Sequence, residues 1–518
     1  MNINEFEHVD VTDSTSFFDQ VDELINTKGY RWIIHIDWAP ERGLSYFFIH
    51  PERLNPYLLN VEAASCRISW PSLSTFFHSL SGIEESIYEA GGPQFQHKSW
   101  TARYQWPSNS ELPELRSKIM GDQFKQGGPT IDGTPKWLHT IGLEDVFAGQ
   151  FAFHLEGRHS SVERSEFVRG LYRTSWCDRA SELNWRQLLN QTNAIAPGTP
   201  YFANLALVES IEDQLGVVVT ERASAIRMIL SELSRIFDHL QSLHTLWFIQ
   251  GVNSWEDVFV DLGVQVYELL GRYARGEWTG QLNTIGGVRH DLPEDWKNQL
   301  LVLTGRVIKK LDGAQLSIER SPGLISTLSN IHLGLKDVMD HTLTGPVARA
   351  CGLRRDLRKL SGRYFYHEVD FEIPLGINST FYDVVLVKIE EMRQSLSILA
   401  QILDGLPYDS IQNPQYALFW NVPEYSILSD EERSDVLTRL KKGPGPLHAR
   451  SMGMVESARG ELSVIWEDQE GAKPRKISIV SPSRQMSYFI EKRAVGLNVS
   501  EVYSMCALAH LSPEEMDI

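Results

Sequence analysis

The stretch that most restricts what this chain can fold into runs from Val208 to Trp247. Ile226, Ile229, Leu230, Leu233, Ile236, Phe237, Leu240 and Leu243 recur at i, i+3, i+4 and i+7. That is the period of a long helix with one buried face. Glu221 stands near its start, where a carboxylate complements the helix dipole. Such a stripe must be buried against another element, and helical spacing returns at Trp255 to Arg275 and Glu294 to Asp312. A succession of helices is expected here.

The first 95 residues read differently. Ser14 to Thr27 has helical spacing, but Arg31 to Asp37 and Ser45 to Ile49 are strand-like, with Pro40 and Gly43 punctuating the turn between them. This predicts an α+β module over 1–95. Residues 96–136 are rich in Pro, Gly, Ser and charge, including Gly127-Gly128-Pro129 and Gly133-Thr134-Pro135, and read as a linker. The large domain then spans 137–518, with a polar insertion at 407–452 around Lys441-Lys442-Gly443-Pro444-Gly445-Pro446.

Lys plus Arg number 49 against 67 Asp plus Glu, a formal charge of −18, which argues against nucleic acid as a partner. The four cysteines, Cys66, Cys177, Cys351 and Cys506, form no C-x-x-C pair, so neither a disulfide framework nor a zinc or iron–sulfur motif is suggested. Cys506 reads as a thiol packed in a helix. Residues 1–7 lack the basic and apolar regions of a signal peptide. No apolar run approaches the ~20 residues that cross a bilayer, so no transmembrane segment is expected and any membrane role comes through partners.

Several motifs carry a resemblance. Glu221-Arg222-Ala223 through Ile226-Arg227, then Glu232-Leu233, Arg235-Ile236 and His239-Leu240, match E-R-A-x-x-I-R…E-L-x-R-I-x-x-H-L. Leu343-Thr344-Gly345-Pro346 with Arg349-Ala350 and Gly352 matches L-T-G-P-x-x-R-A-x-G, and Asp356-Leu357-Arg358-Lys359 matches D-L-R-K. Beyond the alternating segment Val369 to Pro374, Tyr382-Asp383 through Glu390-Glu391-Met392-Arg393-Gln394-Ser395-Leu396 and Val455-Glu456 through Arg459-Gly460-Glu461-Leu462 complete the series. In this order they resemble the large, 49-kDa-type subunit shared by respiratory complex I and the energy-converting nickel-iron hydrogenases. The front of the chain is similar to that family's thirty-kilodalton-type (30-kDa, C-like) partner. There Ile83 to Gly92 stands in place of the family's acidic helix W-x-R-E-x-Y-D-x-F-G, without its Trp, Arg and Phe. The implied fold is an α+β module followed by a hydrogenase large-subunit-like helical bundle with peripheral β-hairpins.

The resemblance also locates where chemistry should be. Hydrogenases of this lineage hold their metals with two C-x-x-C pairs, since low-valent nickel and iron prefer polarizable thiolates. Counted back from Glu212, the first pair falls on Ala196 and Thr199; the C-terminal pair falls on Glu514 and Asp517, read as a charged tail. No metal is expected. In complex I the same cavity takes a quinone headgroup, using a His from G-P-x-H-P and a Tyr. Here Ile131 replaces the His, Pro197 stands at the Tyr position, and Tyr201 lies four residues on. His159 and Glu163, in His159-Ser160-Ser161-Val162-Glu163-Arg164, retain two residues of the family's H-R-G-I-E-K turn. Ile131, His159, Ala196, Pro197, Thr199 and Tyr201 are thus the candidates to line a remodelled cavity.

Arg222, Arg227, Asp238, His239, Arg349, Asp356, Glu390, Glu391 and Arg393 are candidates for charge relay or coupling, the alternative being ordinary helix-face ion pairs, or for His239 a hydrogen-bonded core histidine. The resemblance implies a large subunit of a membrane-associated complex, coupling electron transfer, with quinone as one acceptor, to ion translocation without a nickel-iron centre. Its partners would be an iron–sulfur small subunit, which carries the cluster, and membrane ion-translocating subunits, on the cytoplasmic side of the inner membrane. The alternative is a catalytically inactive scaffold of an ion or bicarbonate transport complex.

Overall fold

The computed structural model describes residues 6–74, 76–96, 136–141, 152–169, 180–192, 200–251, 253–276, 280–417, 450–468 and 473–516, with a few isolated positions besides. Strands are numbered in chain order, as are helices of eight residues or more.

The N-terminal module is a sheet ordered β1 (His8–Val11), β4 (Tyr57–Val61), β3 (Gly43–Ile49), β2 (Trp32–Ala39), with β1 parallel to β4 and the rest antiparallel. Helix α1 (Ser14–Asp22), capped by the Asp13 side chain, covers one face and places Phe17 against Tyr46 and Trp70. Gly43 starts β3 at φ +91°, where a Cβ would sit 2.0 Å from the Val61 carbonyl oxygen. Every residue of β3 is buried. Alternate side chains of a strand face opposite ways, so the run Tyr46-Phe47-Phe48-Ile49 requires an apolar environment on both sides. Tyr46 and Phe48 meet the module's own core; Phe47 and Ile49, with Trp32, Ile34 and Leu58, meet Leu357, Met452, Met454, Ile465 and Val480 of the large domain. Short β5 (Ser69–Pro71) and β6 (Gln94–Gln96) flank α2 (Ser81–Glu89).

The large domain bears out the mainly helical expectation, with one change at its centre. The segment 208–247 is not one helix: α3 (Pro200–Leu215) ends at Gly216, φ +60°, and α4 (Glu221–Ile249) begins after Thr220, whose side chain accepts the Ala223 N–H. Nor does α4 have one buried face. Arg227, Glu232, Arg235, Asp238, His239 and Ser242 are as buried as its leucines, because α5 (Asn253–Ala274), α8 (Phe381–Asp404) and α10 (Val499–Ala509) all pack around it. Helices α6 (Trp296–Glu319), α7 (Pro322–Ser329) and α9 (Pro482–Arg493) complete the bundle.

The peripheral hairpins are also present. Strands β7 (Lys136–Ile141), β8 (Ala152–Arg158) and β9 (Ser161–Val168) form one antiparallel sheet, β10 (Asn283–Thr284) and β11 (Gly287–Val288) a two-residue hairpin, and β12 (Arg450–Glu456), β13 (Glu461–Asp468) and β14 (Pro474–Val480) another sheet. Strand β12 lies directly on α3, which Gly453 permits: a Cβ there would come within 1.9 Å of the Ala206 carbonyl oxygen. The alternating segment Val369 to Pro374 forms no strand. It is strapped along α8 by Gln401 and Gln394, which accept the Asp370 and Glu372 backbone N–H groups.

Gln96 and Lys136, at the ends of the expected linker, belong to β6 and β7; the residues between lie outside the described set, as does most of 418–449. Among the described residues no helix is long and apolar enough to cross a membrane.

Candidate functional site: a buried charge ladder

Helices α4 and α8 run antiparallel and meet through polar rungs. Positions 232, 239 and 242 share a face of α4, and 388, 391 and 395 share one of α8, by the three-to-four-residue spacing of helix neighbours. Lys388 Nζ donates to Ser242 Oγ at 2.8 Å, His239 Nε2 lies 2.8 Å from Glu391 Oε2, and the Ser395 hydroxyl donates to Glu232.

From Glu391 the network leaves the seam through Arg349, on the short helix Gly345–Ala350. Its Nε donates to Glu391 Oε1 at 2.6 Å, and its Nη1 reaches Glu456 Oε1 at 2.9 Å and Asp356 Oδ2 at 3.5 Å. Asp356 caps the next turn, accepting the Arg358 N–H, and pairs with the Arg358 guanidinium at 2.7 Å. Arg358 then returns to Glu232 at 3.0 Å. Tyr366 donates to Glu232 at 2.6 Å, while Arg235 donates to the carbonyls of Ser457 and Glu456. All these side chains are essentially without solvent contact.

Among the described residues the cluster holds four carboxyls, Glu232, Asp356, Glu391 and Glu456, against three guanidiniums, Arg235, Arg349 and Arg358. In a dry interior an uncompensated charge is costly; Lys388, the first rung of the ladder, supplies a fourth cation, so the four carboxyls are balanced without a bound proton. Among the carboxyls, Glu456 is the one pushed toward its neutral form. Burial pushes it up to about 7, and its carboxyl neighbours Asp356 and Glu461 add to this against the pull of Arg349. Burial would raise Glu391 too, but Arg349 and the His239 hydrogen bond hold it well below the usual carboxylate range. Desolvation lowers His239 to about 4, leaving it neutral.

Two clusters flank this one. On the C-terminal side, Arg459 Nε donates to Asp238 at 2.8 Å, and His510, in the left-handed region at φ +49°, places Nδ1 3.0 Å from the same carboxylate. Burial lowers the nearby Lys388 to about 8. On the α3 side, Arg227 grips Glu212 at 2.7 and 2.8 Å and donates to the carbonyls of Thr284 and Gly287, while Glu212 accepts the Gly286 N–H. Tyr364 donates to Glu209, and Arg363 pairs with Asp213. A cavity of about 30 Å³ separates this group from Glu456 and Arg358; its walls include Glu209, Tyr364, Tyr366, Phe202 and Leu205. Its volume suits roughly two waters, not a ring-sized headgroup.

The sequence-named candidates divide accordingly. Arg227, Asp238, His239, Arg349, Asp356 and Glu391 enter the buried clusters. Arg222 instead pairs with Asp291 near the surface, and Glu390 and Arg393 pair with each other on the outward side of α8, Arg393 also with Asp312. His159 is exposed at the β8–β9 turn, φ +54°. Tyr201 is fully buried, its hydroxyl donating to the Arg227 carbonyl at 3.0 Å and to Asn283. The charged-tail reading of the C-terminus gives way: Leu511 to Pro513, Glu515 and Met516 are buried, and Glu515 accepts from Ser481 and Ser483. Glu514, partly buried, accepts from Ser512. Ile131, Ala196, Pro197, Thr199 and Asp517 lie outside the described residues. Sequence reasoning missed Glu232, Arg235, Arg358, Glu456 and Arg459 as functional groups, although each sits in one of the family motifs; Lys388 and His510 carried no motif signal.

A helical large-subunit domain organised around buried arginine–carboxylate clusters, with an α+β module locked to it, is the class of protein defined here. Residues 265–517 match the family model described as "Respiratory-chain NADH dehydrogenase, 49 Kd subunit". The C/D subunit of the NADH-quinone oxidoreductase of Buchnera aphidicola subsp. Cinara cedri is 30% identical over 454 residues, 80% of this chain and 77% of that protein. The C/D subunit from Bdellovibrio bacteriovorus is 26% identical over 344 residues, 64% of this chain and 60% of that protein. NADH-quinone oxidoreductase subunit 4 of Thermus thermophilus is 27% identical over 385 residues, 72% and 88% respectively. The chain belongs to this family of 49-kDa-type subunits, in the form with a C-like, 30-kDa-type part fused in front.

Proposed function

We propose that this chain is the large subunit of a membrane-associated, complex I-like assembly, and that the ladder from Lys388 to Glu232 couples electron transfer to ion translocation. The observation that carries this is the ladder's composition. Replacing buried ion pairs by apolar side chains of similar volume is often neutral or stabilising, so a core lined with four carboxyls and three guanidiniums is poorly explained by stability. It contains a carboxyl held near neutrality and a lysine near 8, groups able to change protonation at working pH. The electron donor side would be an iron–sulfur small subunit, the acceptor a quinone, and the ion path a set of membrane subunits. The chain itself would sit peripherally on the cytoplasmic side of the inner membrane.

The donor set does not fit a nickel-iron centre: Ala196 offers no ligand atom, Thr199 a poor one, and Glu514 and Asp517 only hard oxygens. No step is routed through such a centre.

The test is made on the assembly purified with its neighbours. It is expected to contain iron and quinone without nickel, and Glu391→Gln is expected to preserve electron transfer while lowering the ions moved per electron. An intact assembly lacking iron, nickel and quinone would overturn the redox reading. The chain would then be a scaffold in an ion or bicarbonate transport complex, a reading favoured by the water-sized cavity and by the Tyr201 hydroxyl being committed to Arg227 and Asn283.

A further inference from the structure

Glu209 on α3 and Glu456 at the end of β12 belong to different charge clusters, yet both face the cavity of about 30 Å³. Their closeness follows from β12 lying on α3 at Gly453. We propose that this cavity is a water-binding site through which a proton passes between the carboxyls of Glu209 and Glu456, joining the α3 cluster to the α4–α8 ladder. The step conserves charge: one carboxyl releases a proton to water as the other takes one from it. It rests on the coupling reading above and names where the ladder exchanges its proton.

Four observations support it. The cavity volume suits roughly two waters, and the walls offer Ser231, Arg358, Arg363 and Tyr364 as polar partners besides the two acids. The Oε2 of Glu209 is buried and accepts no hydrogen bond, its nearest cation being Arg363 Nε at 3.5 Å, whereas Oε1 accepts the Tyr364 hydroxyl. Both acids are held up by burial. Against that burial, Glu209 faces Arg363, Tyr364 and Arg227, with Asp213 pushing the other way; Glu456 faces Arg349 and Arg235, with Asp356 and Glu461 pushing the other way. Finally, Glu456 spends both its oxygens on the ladder, Oε1 on Arg349 and Oε2 on the Leu357 N–H. The same residue lines the cavity.

Infrared difference spectra of the full chain in its assembly, titrated in H₂O and D₂O, test this. A protonated-carboxyl band at neutral pH should vanish in Glu456→Gln. In Leu205→Phe, which fills the cavity without touching a charge, and in the isosteric Glu209→Gln, that band should remain while its H/D exchange slows by about tenfold or more. Absence of the band in the unaltered chain, or exchange as fast in both variants as without them, overturns the proposal; should Leu205→Phe not fold, Glu209→Gln alone decides. The coupling reading fails separately. If exchange slows but Glu391→Gln leaves ions per electron unchanged, the water site stands and coupling falls; if exchange is unaffected but Glu391→Gln uncouples, the reverse holds.

Discussion

Replacing Glu456 by Gln should flatten the pH dependence of stability. In the folded chain this carboxyl is raised from 4.5 to about 7, so it binds its proton more tightly than in the unfolded chain. A group shifted in this direction contributes stability that is fully present below about pH 4.5 and is lost as pH rises through 7. The shift corresponds to about 3 kcal/mol. Gln removes the titration and imposes one constant cost. Glu456 accepts from both Arg349 and the Leu357 N–H, whereas an amide offers a single acceptor oxygen, and a buried unmet donor costs about 1–3 kcal/mol at every pH. The diagnostic is therefore the slope and not the offset. Urea unfolding of both chains from pH 5 to 9 should give a stability difference that moves by about 3 kcal/mol in favour of Gln as pH rises. Lys388, His510 and Glu209 titrate in both chains and cancel to first order. A difference that stays flat across this range would refute the reading that burial raises Glu456 in the folded chain.

Asp37, on β2, is held between Lys476 of β14 and Arg450 of β12; burial would raise it, but these cations keep it well below the usual carboxylate range. Its contribution is present above about pH 4 and is lost as pH falls further, toward its depressed pKa, and Asp37→Asn, which takes the partner from mostly buried Arg450 and from half-exposed Lys476, should speed amide hydrogen exchange in β2, β12 and β14 by about tenfold or more at neutral pH. Glu390→Ala removes a partner of a solvent-facing pair, so it should change unfolding free energy by less than about 1 kcal/mol, and ions moved per electron should be unchanged, in contrast to Glu391→Gln.

How much of this was legible in the sequence depended on distance along the chain. The α4 stripe was readable because its period is local, and so was the short apolar run Tyr46 to Ile49, whose aromatic and β-branched residues read as a strand. What could not be read was the environment of the polar residues between. Charged side chains are almost never fully buried unless paired, and for His239 the pairing partner, Glu391, lies 152 residues away. Without such partners Arg227 and Asp238 look like the wet face of an amphipathic helix, while His239, beside the apolar stripe, reads as a core histidine whose hydrogen-bond partner the sequence does not name. Glu390 and Glu391 make the same point at closer range: adjacent and chemically alike, they point to opposite sides of α8, one to a surface pair and the other into the ladder. The C-terminus failed for a related reason. Ser512 to Asp517 is acidic, which suggests a solvated tail, but the Ser481 and Ser483 hydroxyls satisfy Glu515 and permit its burial.

The motifs that identified the family and the groups that make up the ladder are largely the same residues, and this bears on what the motifs are for. Arg349 comes from L-T-G-P-x-x-R-A, Asp356 and Arg358 from D-L-R-K, Glu391 from the E-E-M-R-Q-S helix and Glu456 from V-E-x-x-R-G-E-L. Each sits in a segment that could close an apolar core with Leu or Met, and the α4–α8 seam already buries Ile229, Leu233, Leu243, Met392 and Leu399. An all-apolar seam would hold α4 and α8 together at least as well, but it would have no protonation state. The ladder has titratable members: Lys388, lowered by burial to about 8, and Glu456, raised by burial to about 7, which also faces the cavity shared with Glu209. On the coupling proposed above, a change of charge on Glu456, at one edge of this buried network, alters the pairing of Arg349 and through it that of Glu391 and Asp356.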